Sequence, residues 1–181
     1  MIENQPDDDN FRDHVGIDPL GLARAAWQLV SSGQIQSGGS TITMQVAKNY
    51  FLSHERTFAR KFREILLALE IEKTLSKDEI LELYFNVIFL GHRAYGVNAA
   101  SQIYYGKNLD ELTLAQAAMI AGLPKAPSKY NPIANPERAK ERRDWILGRM
   151  LKLGFIEEYD FEQAIERPVT ASLHGVQLDL T

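Results

Sequence analysis

Five segments, residues 20–30, 58–75, 79–90, 113–123 and 144–153, repeat their apolar side chains every three or four residues, and no segment sustains the two-residue alternation of a half-buried strand. That pattern commits the chain to an all-α fold. Helix start signals agree. Ser76-Lys77-Asp78-Glu79 and Thr113-Leu114-Ala115-Gln116 read as capping boxes, and Asn135-Pro136 as an N-cap with proline at the first helical position. Loops are expected at 33–39, 91–93, 106–112 and 123–136. The last carries four prolines in fourteen residues, too many for a helix interior, and reads as a surface crossing before a final helix pair. After Pro168 the stretch VTASLHGVQLDLT loses helical periodicity and is expected to lead out of the domain.

Composition narrows the chemistry. With 181 residues, 45% of them apolar, the chain can bury one core or two small lobes, and it shows no repeat of fixed period. The absence of cysteine excludes a disulfide framework, a thiol nucleophile and a Cys-ligated zinc. No apolar run approaches the ~20 residues of a membrane helix, and the opening MIENQPDDD lacks the basic and apolar regions of a signal peptide. The net charge of −4 (20 basic against 24 acidic) is concentrated at one end. Residues 1–30 hold Glu3, Asp7, Asp8, Asp9, Asp13 and Asp18 against Arg12 and Arg24; the remainder is neutral with basic clusters.

On a helical wheel Phe62, Ile65, Leu66 and Leu69 share a stripe with Phe58, whereas Arg60 and Glu64 fall off it, at about 200° and 240° from Phe58. Leu67 and Ile71 continue the second line, which places Glu64 at the margin of buried surface, where a charge is costly unless paired or employed. Two readings stay open: an ordinary i,i+4 ion pair, or a functional carboxylate among cations. Lys48, Arg56, Lys61 and Arg63 join Arg60 either in a groove suited to phosphate or pyrophosphate, or on a solvated basic face. In 79–90 the single polar line Glu79, Glu82, Asn86 suggests a mid-bundle helix whose Glu82 and Asn86 are buried and structural. Gly38-Gly39-Ser40-Thr41 reads as a helix N-terminus able to hold an anion, or as linker chemistry. Asp7-Asp8-Asp9, with Phe11 and His14, is the remaining acidic candidate, or else a solvated terminus. The four histidines lack metal-ligand spacing, and neither a phosphate-binding glycine loop nor G-x-S-x-G occurs.

Taken in order, these motifs resemble the glycosyltransferase domain of class A penicillin-binding proteins and monofunctional peptidoglycan glycosyltransferases. E-D-x-x-F-x-x-H-x-G is matched by Asp7-Asp8-Asp9-Asn10-Phe11-Arg12-Asp13-His14-Val15-Gly16, and G-x-S-T-x-x-Q-Q by Gly38 to Gln45. R-K-x-x-E is Arg60-Lys61-Phe62-Arg63-Glu64, and K-x-x-I-L-E-x-Y-x-N runs from Lys77 through Glu82 and Tyr84 to Asn86. A fifth motif, R-x-x-x-[VIL]-L, fits Arg142 or Arg143 ahead of Ile146-Leu147.

The resemblance implies a lysozyme-like, two-lobed helical domain over 1–169, with 170–181 beginning a linker toward a transpeptidase region. It implies polymerisation of lipid II into β-1,4 glycan strands, with inversion and release of undecaprenyl pyrophosphate, at the periplasmic face of the inner membrane. By the same resemblance Asp7 is the general base. Glu64 assists departure of the pyrophosphate with Lys48, Arg56, Arg60, Lys61 and a divalent cation (Mg or Mn). Ser40, Thr41 and Gln45 line the donor site, and Asp8 lies beside the substrate. Phe11 and His14 hold the loop, His14 as an orienter rather than an acid or base, and Glu82, Tyr84 and Asn86 are structural. Implied partners are lipid II, the growing lipid-linked chain, the membrane surface and other cell-wall synthesis proteins, with no nucleic acid.

One departure from the family pattern matters. Asp7 stands where the family has Glu, drawing the carboxylate back by ~1.5 Å, a misplacement able to cost about a hundredfold in rate. Impaired turnover is therefore expected. Val46, Tyr50, Phe51, Leu52 and Phe58 read either as core or as a surface dipping into the bilayer. Two other functions share the helical pattern, a lysozyme-like glycan hydrolase and a lipid II-binding module of weak activity.

Overall fold

The computed structural model describes residues 8, 10–32, 39–52 and 57–175, in two compact units, Met1–Val87 and Ile88–Thr181. The first unit contains α1 (Pro19–Ser32), α2 (Ile42–Phe51), α3 (Phe58–Thr74) and α4 (Lys77–Val87). The second contains α5 (Val97–Tyr105), α6 (Leu114–Gly122), α7 (Pro136–Lys152) and α8 (Glu158–Ile165), with short 3-10 turns at Leu109–Glu111 and Leu123–Lys125. Among the described residues there is no named strand, only an isolated antiparallel bridge between Phe89 and Tyr95. The all-α expectation holds.

In the first unit α2 packs against α3 and α4. Met44, Val46 and Ala47 of α2, Ala68 of α3, and Ile80 and Tyr84 of α4 are buried there. Helix α3 is turned the opposite way from a water-soluble amphipathic helix. Its inward line is Glu64, Ala68 and Glu72, whereas Phe58 and Phe62, from the apolar stripe, are 93% and 63% exposed and Leu66 is exposed too. Phe58, Phe62 and Leu66 of the stripe face outward while Ile65 and Leu69 are half-buried, and the most buried contact is made through a small alanine flanked by two paired carboxylates.

Helix α4 also departs from expectation. It buries a single line, Ile80 and Tyr84, and leaves Glu79, Glu82, Phe85 and Asn86 exposed, so Glu82 and Asn86 are surface residues and not buried structural ones. Its start is as expected. The Ser76 N–H and Oγ–H donate to Glu79 Oε2 at 2.8 and 2.7 Å, and these bonds hold the Glu79 carboxyl below its ordinary range.

In the second unit Ala115 and Ala118 of α6, Leu147 of α7 and Ala164 of α8 form a core with Ile146 and Phe161. The fifth-motif arginines are both buried. Arg143 donates to the carbonyls of Ile165 and Arg167 at 3.0 and 2.7 Å, satisfying the end of α8 from α7, and Arg142 stacks 4.4 Å from the Trp145 ring. The Thr113 capping box forms as expected. Asn135 precedes Pro136 as expected, but its amide donates to Ser128 O and makes no side-chain cap bond.

Helix α5 escaped the periodicity reading because Ala100, Ser101, Ile103, Tyr104 and Tyr105 are all buried, leaving little contrast between faces. Burial pushes the Tyr104 and Tyr105 hydroxyls up to about 12, and Tyr104 donates to Leu90 O at 2.8 Å. Residues 170–174, assigned by the sequence to a departing linker, bond back on to α5 instead. Ser172 N–H donates to Tyr104 O at 3.0 Å and His174 N–H to Ile103 O at 2.9 Å.

Candidate active site

Three consecutive residues at the start of α2 join the sequence motifs of the first unit. Ser40 Oγ accepts from Lys61 Nζ at 2.6 Å, Thr41 Oγ1 donates to Gly16 O at 2.7 Å, and Ile42 N–H donates to Asp8 Oδ2 at 2.9 Å. The α2 N-terminus does hold an anion, as the glycine-serine run suggested, but that anion is the protein's own Asp8. Thr41 caps the helix in addition, accepting from Met44 N–H at 3.1 Å. The N-terminus thus ties the first and second motifs together through Asp8 and Gly16.

The loop from Asp8 to Gly16 folds around His14. Gly16 N–H donates to His14 Nδ1 at 3.0 Å, which places the neutral ring's proton on Nε2, directed at the Asp8 carboxylate 2.9 and 3.0 Å away. Asp8 thus uses both oxygens within the loop, and its side chain is almost fully buried. These contacts anchor Asp8 between the loop and the start of α2. His14 links the Asp8 carboxylate to the Gly16 amide across the loop. Phe11 is buried edge-on to the His14 ring. Gly16, at φ +91°, lies so near α3 that a Cβ would stand 2.8 Å from Ala68 O and from Glu72 Cγ, so only glycine lets the loop close there.

Glu64 is 2% exposed. Arg60 Nη1 donates to its Oε2 at 2.8 Å and Lys61 Nζ to its Oε1 at 2.5 Å. The i,i+4 pair therefore exists, but in a setting where the few tenths of a kcal/mol of a solvated pair do not apply. The trio carries one net positive charge. Among the described residues Arg60 Nε is buried without a hydrogen-bond partner. Thr41, Gln45 and Lys48 follow at i, i+4 and i+7 along one face of α2.

Asp7 and Arg56 lie outside the described residues. Among the described residues no group of three or more His, Asp or Glu could hold a metal ion. Each Glu64 oxygen accepts from one cation, and Asp8 accepts from Ile42 N–H and faces His14 Nε2.

Sequence reasoning missed Glu72, Thr43 and the use of Lys77. Lys77 Nζ donates to Glu72 Oε1 at 2.8 Å and to His14 O, and lies 4.5 Å from the Phe11 ring centroid. Thr43 Oγ1 donates to the same Glu72 oxygen. A signal was present: Glu64, Ala68 and Glu72 recur at i, i+4, i+8, a line as regular as the apolar stripe.

The comparisons with known proteins agree with this geometry. The transglycosylase family model matches residues 5–151, and the chain belongs to that family. It is 65% identical to penicillin-binding protein 1A of Pseudomonas aeruginosa over 168 residues, 93% of this chain and 20% of that protein. It is 53% identical to penicillin-binding protein 1A of Haemophilus influenzae over 173 residues, 96% of this chain and 20% of the relative. A crystal structure of penicillin-binding protein 1A from Haemophilus influenzae aligns over 74% of this chain and 17% of that one, with a TM-score of 0.52 and 40% identity. The chain spans about a fifth of the length of these relatives. The glycosyl-transfer class expected from the motifs follows from family membership.

Proposed function

We propose that this domain polymerises lipid II, transferring the growing glycan chain from its undecaprenyl pyrophosphate to the 4-hydroxyl of a new lipid II, with inversion. The observation that carries the proposal is Glu64, a buried carboxylate held between Arg60 and Lys61, with Lys61 reaching on to Ser40 at the start of α2. Inverting transfer needs a base on the acceptor side of the sugar and neutralisation of charge on the leaving-group side. The Glu64 trio supplies the second. Its net positive charge attracts a pyrophosphate, and the Arg60 Nε–H has no partner among the described residues. As negative charge develops on the leaving oxygen, Arg60 and Lys61 exchange part of their pairing with Glu64 for the pyrophosphate, with Lys48 and Arg56 adding to the field. The base is the Asp7 carboxylate, one peptide bond from the anchored Asp8.

The exposed stripe on α3 supports work at a lipid surface. Phe51 at the end of α2 joins Phe58, Phe62 and Leu66 in presenting large apolar groups to the surroundings. Tyr50 is also exposed, whereas Val46 is fully buried and belongs to the core, so the apolar residues flagged by the sequence divide between the two readings. No described helix is long and apolar enough to cross a membrane. A lipid-linked substrate and an interfacial face together support a place at the periplasmic face of the inner membrane.

Conversion of labelled lipid II into polymer by the purified chain tests the proposal. Release of soluble muropeptides from finished glycan, with no polymer from lipid II, would replace it with hydrolysis.

A further inference from the structure

Lys77 and Glu72 form a partly buried pair placed against the preference of their own helices. Lys77 is the first residue of α4, where the helix dipole disfavours a cation, and Glu72 lies near the end of α3, where it disfavours an anion. Local helix energetics therefore do not account for either residue. What they hold does. Lys77 Nζ makes three contacts, to Glu72 Oε1, to His14 O and over the Phe11 ring, so two of the three fall on the loop that carries Asp8. Glu72 takes a bond from the fully buried Thr43 of α2 on the same oxygen, and its Cγ stands where a side chain on Gly16 would go. The pair thus pins the middle and the end of the loop, while Asp8 is pinned by Ile42 and His14.

We propose that Lys77 and Glu72 are positioning residues for the reaction. They act as a latch that fixes Phe11, His14 and Gly16 against α2 and α3, and with them the Asp8 carboxylate that His14 faces. The inference rests on the transfer reading above for its kinetic consequence but not for its structural one. Misplacement of a reacting group by about 1 Å costs on the order of a hundredfold in rate, so loosening the loop that carries the first motif lowers turnover.

The test compares the unmodified chain with Lys77→Arg and with the double variant Lys77→Met/Glu72→Gln. Removing both charges together avoids stranding one of them and preserves the fold. The double variant is expected to melt within about 4 °C of the unmodified chain. Its kcat on lipid II should fall about ten- to a hundredfold, with KM and the affinity for a phosphoglycolipid inhibitor unchanged, while Lys77→Arg keeps most of the rate. Ring-nitrogen NMR shifts of His14 should show a fixed Nε2–H tautomer in the unmodified chain and tautomer exchange in the double variant. An unchanged kcat with an unchanged His14 signal overturns the proposal. So does a loss of rate that only follows the loss of folded protein. If the unmodified chain makes no polymer, the transfer reading fails and the His14 signal alone decides the latch.

Discussion

Lys61 Nζ bridges Ser40 Oγ at 2.6 Å and Glu64 Oε1 at 2.5 Å, tying the residue before the α2 cap to a carboxylate buried on α3. One ammonium therefore links two motifs that are far apart in sequence. Lys61→Met removes that link and takes the net charge of the trio from +1 to zero. The expected result is a loss of about a hundredfold in kcat on lipid II, with steeper relative loss at low salt, where the attraction lost with the ammonium is least screened. Steady-state polymerisation at two ionic strengths checks it.

Asp7→Glu restores the longer carboxylate of the family pattern. If reach is what limits turnover, the rate rises by about a hundredfold. Equal rates for the two chains in the same polymerisation assay would show that the shorter side chain is not limiting.

The outward stripe of α3 makes a prediction that separates membrane contact from core packing. Replacing Phe58, Phe62 and Leu66 together by serine should abolish co-flotation with anionic liposomes while leaving the melting temperature unchanged, since all three are exposed. Val46→Ala should do the reverse, costing about 2 kcal/mol of stability with flotation intact.

Tyr104 and Tyr105 give a pH dependence with a definite sign. Their folded values near 12 stand above the ordinary 10.0, so unfolded chains lose these protons first as pH rises. The stabilisation is complete below pH 10 and is lost as pH climbs toward 12. Denaturant midpoints measured across that window should fall, and Tyr104→Phe should flatten the slope while costing about 1 kcal/mol at neutral pH through its lost bond to Leu90 O.

The helices of strong periodicity were legible from the chain alone, as were their caps at Ser76 and Thr113, because both depend on neighbours within four residues. Helix α5 was not, because burial on most sides erases the contrast that periodicity measures. The direction of α3 could not be read either. A wheel reports where apolar residues lie but not whether their surroundings are protein, water or lipid, and here the interior chose Glu64, Ala68 and Glu72. Motif order located Glu64, Lys61, Ser40 and His14, but not the bonds among them. Asp8 as the ligand of the α2 N-terminus, and Lys77 reaching back 63 residues to His14 O, are tertiary contacts with no local signature.

The account stands or falls on Glu64 as the centre of the leaving-group side. Polymerisation of labelled lipid II by the Glu64→Gln chain tests it most directly, with melting temperature as the control for folding. The expected result is polymer from the unmodified chain and a loss of at least about a hundredfold in the variant, with both chains folded. Full activity in Glu64→Gln, or an equal loss in the exposed Glu82→Gln, would contradict it.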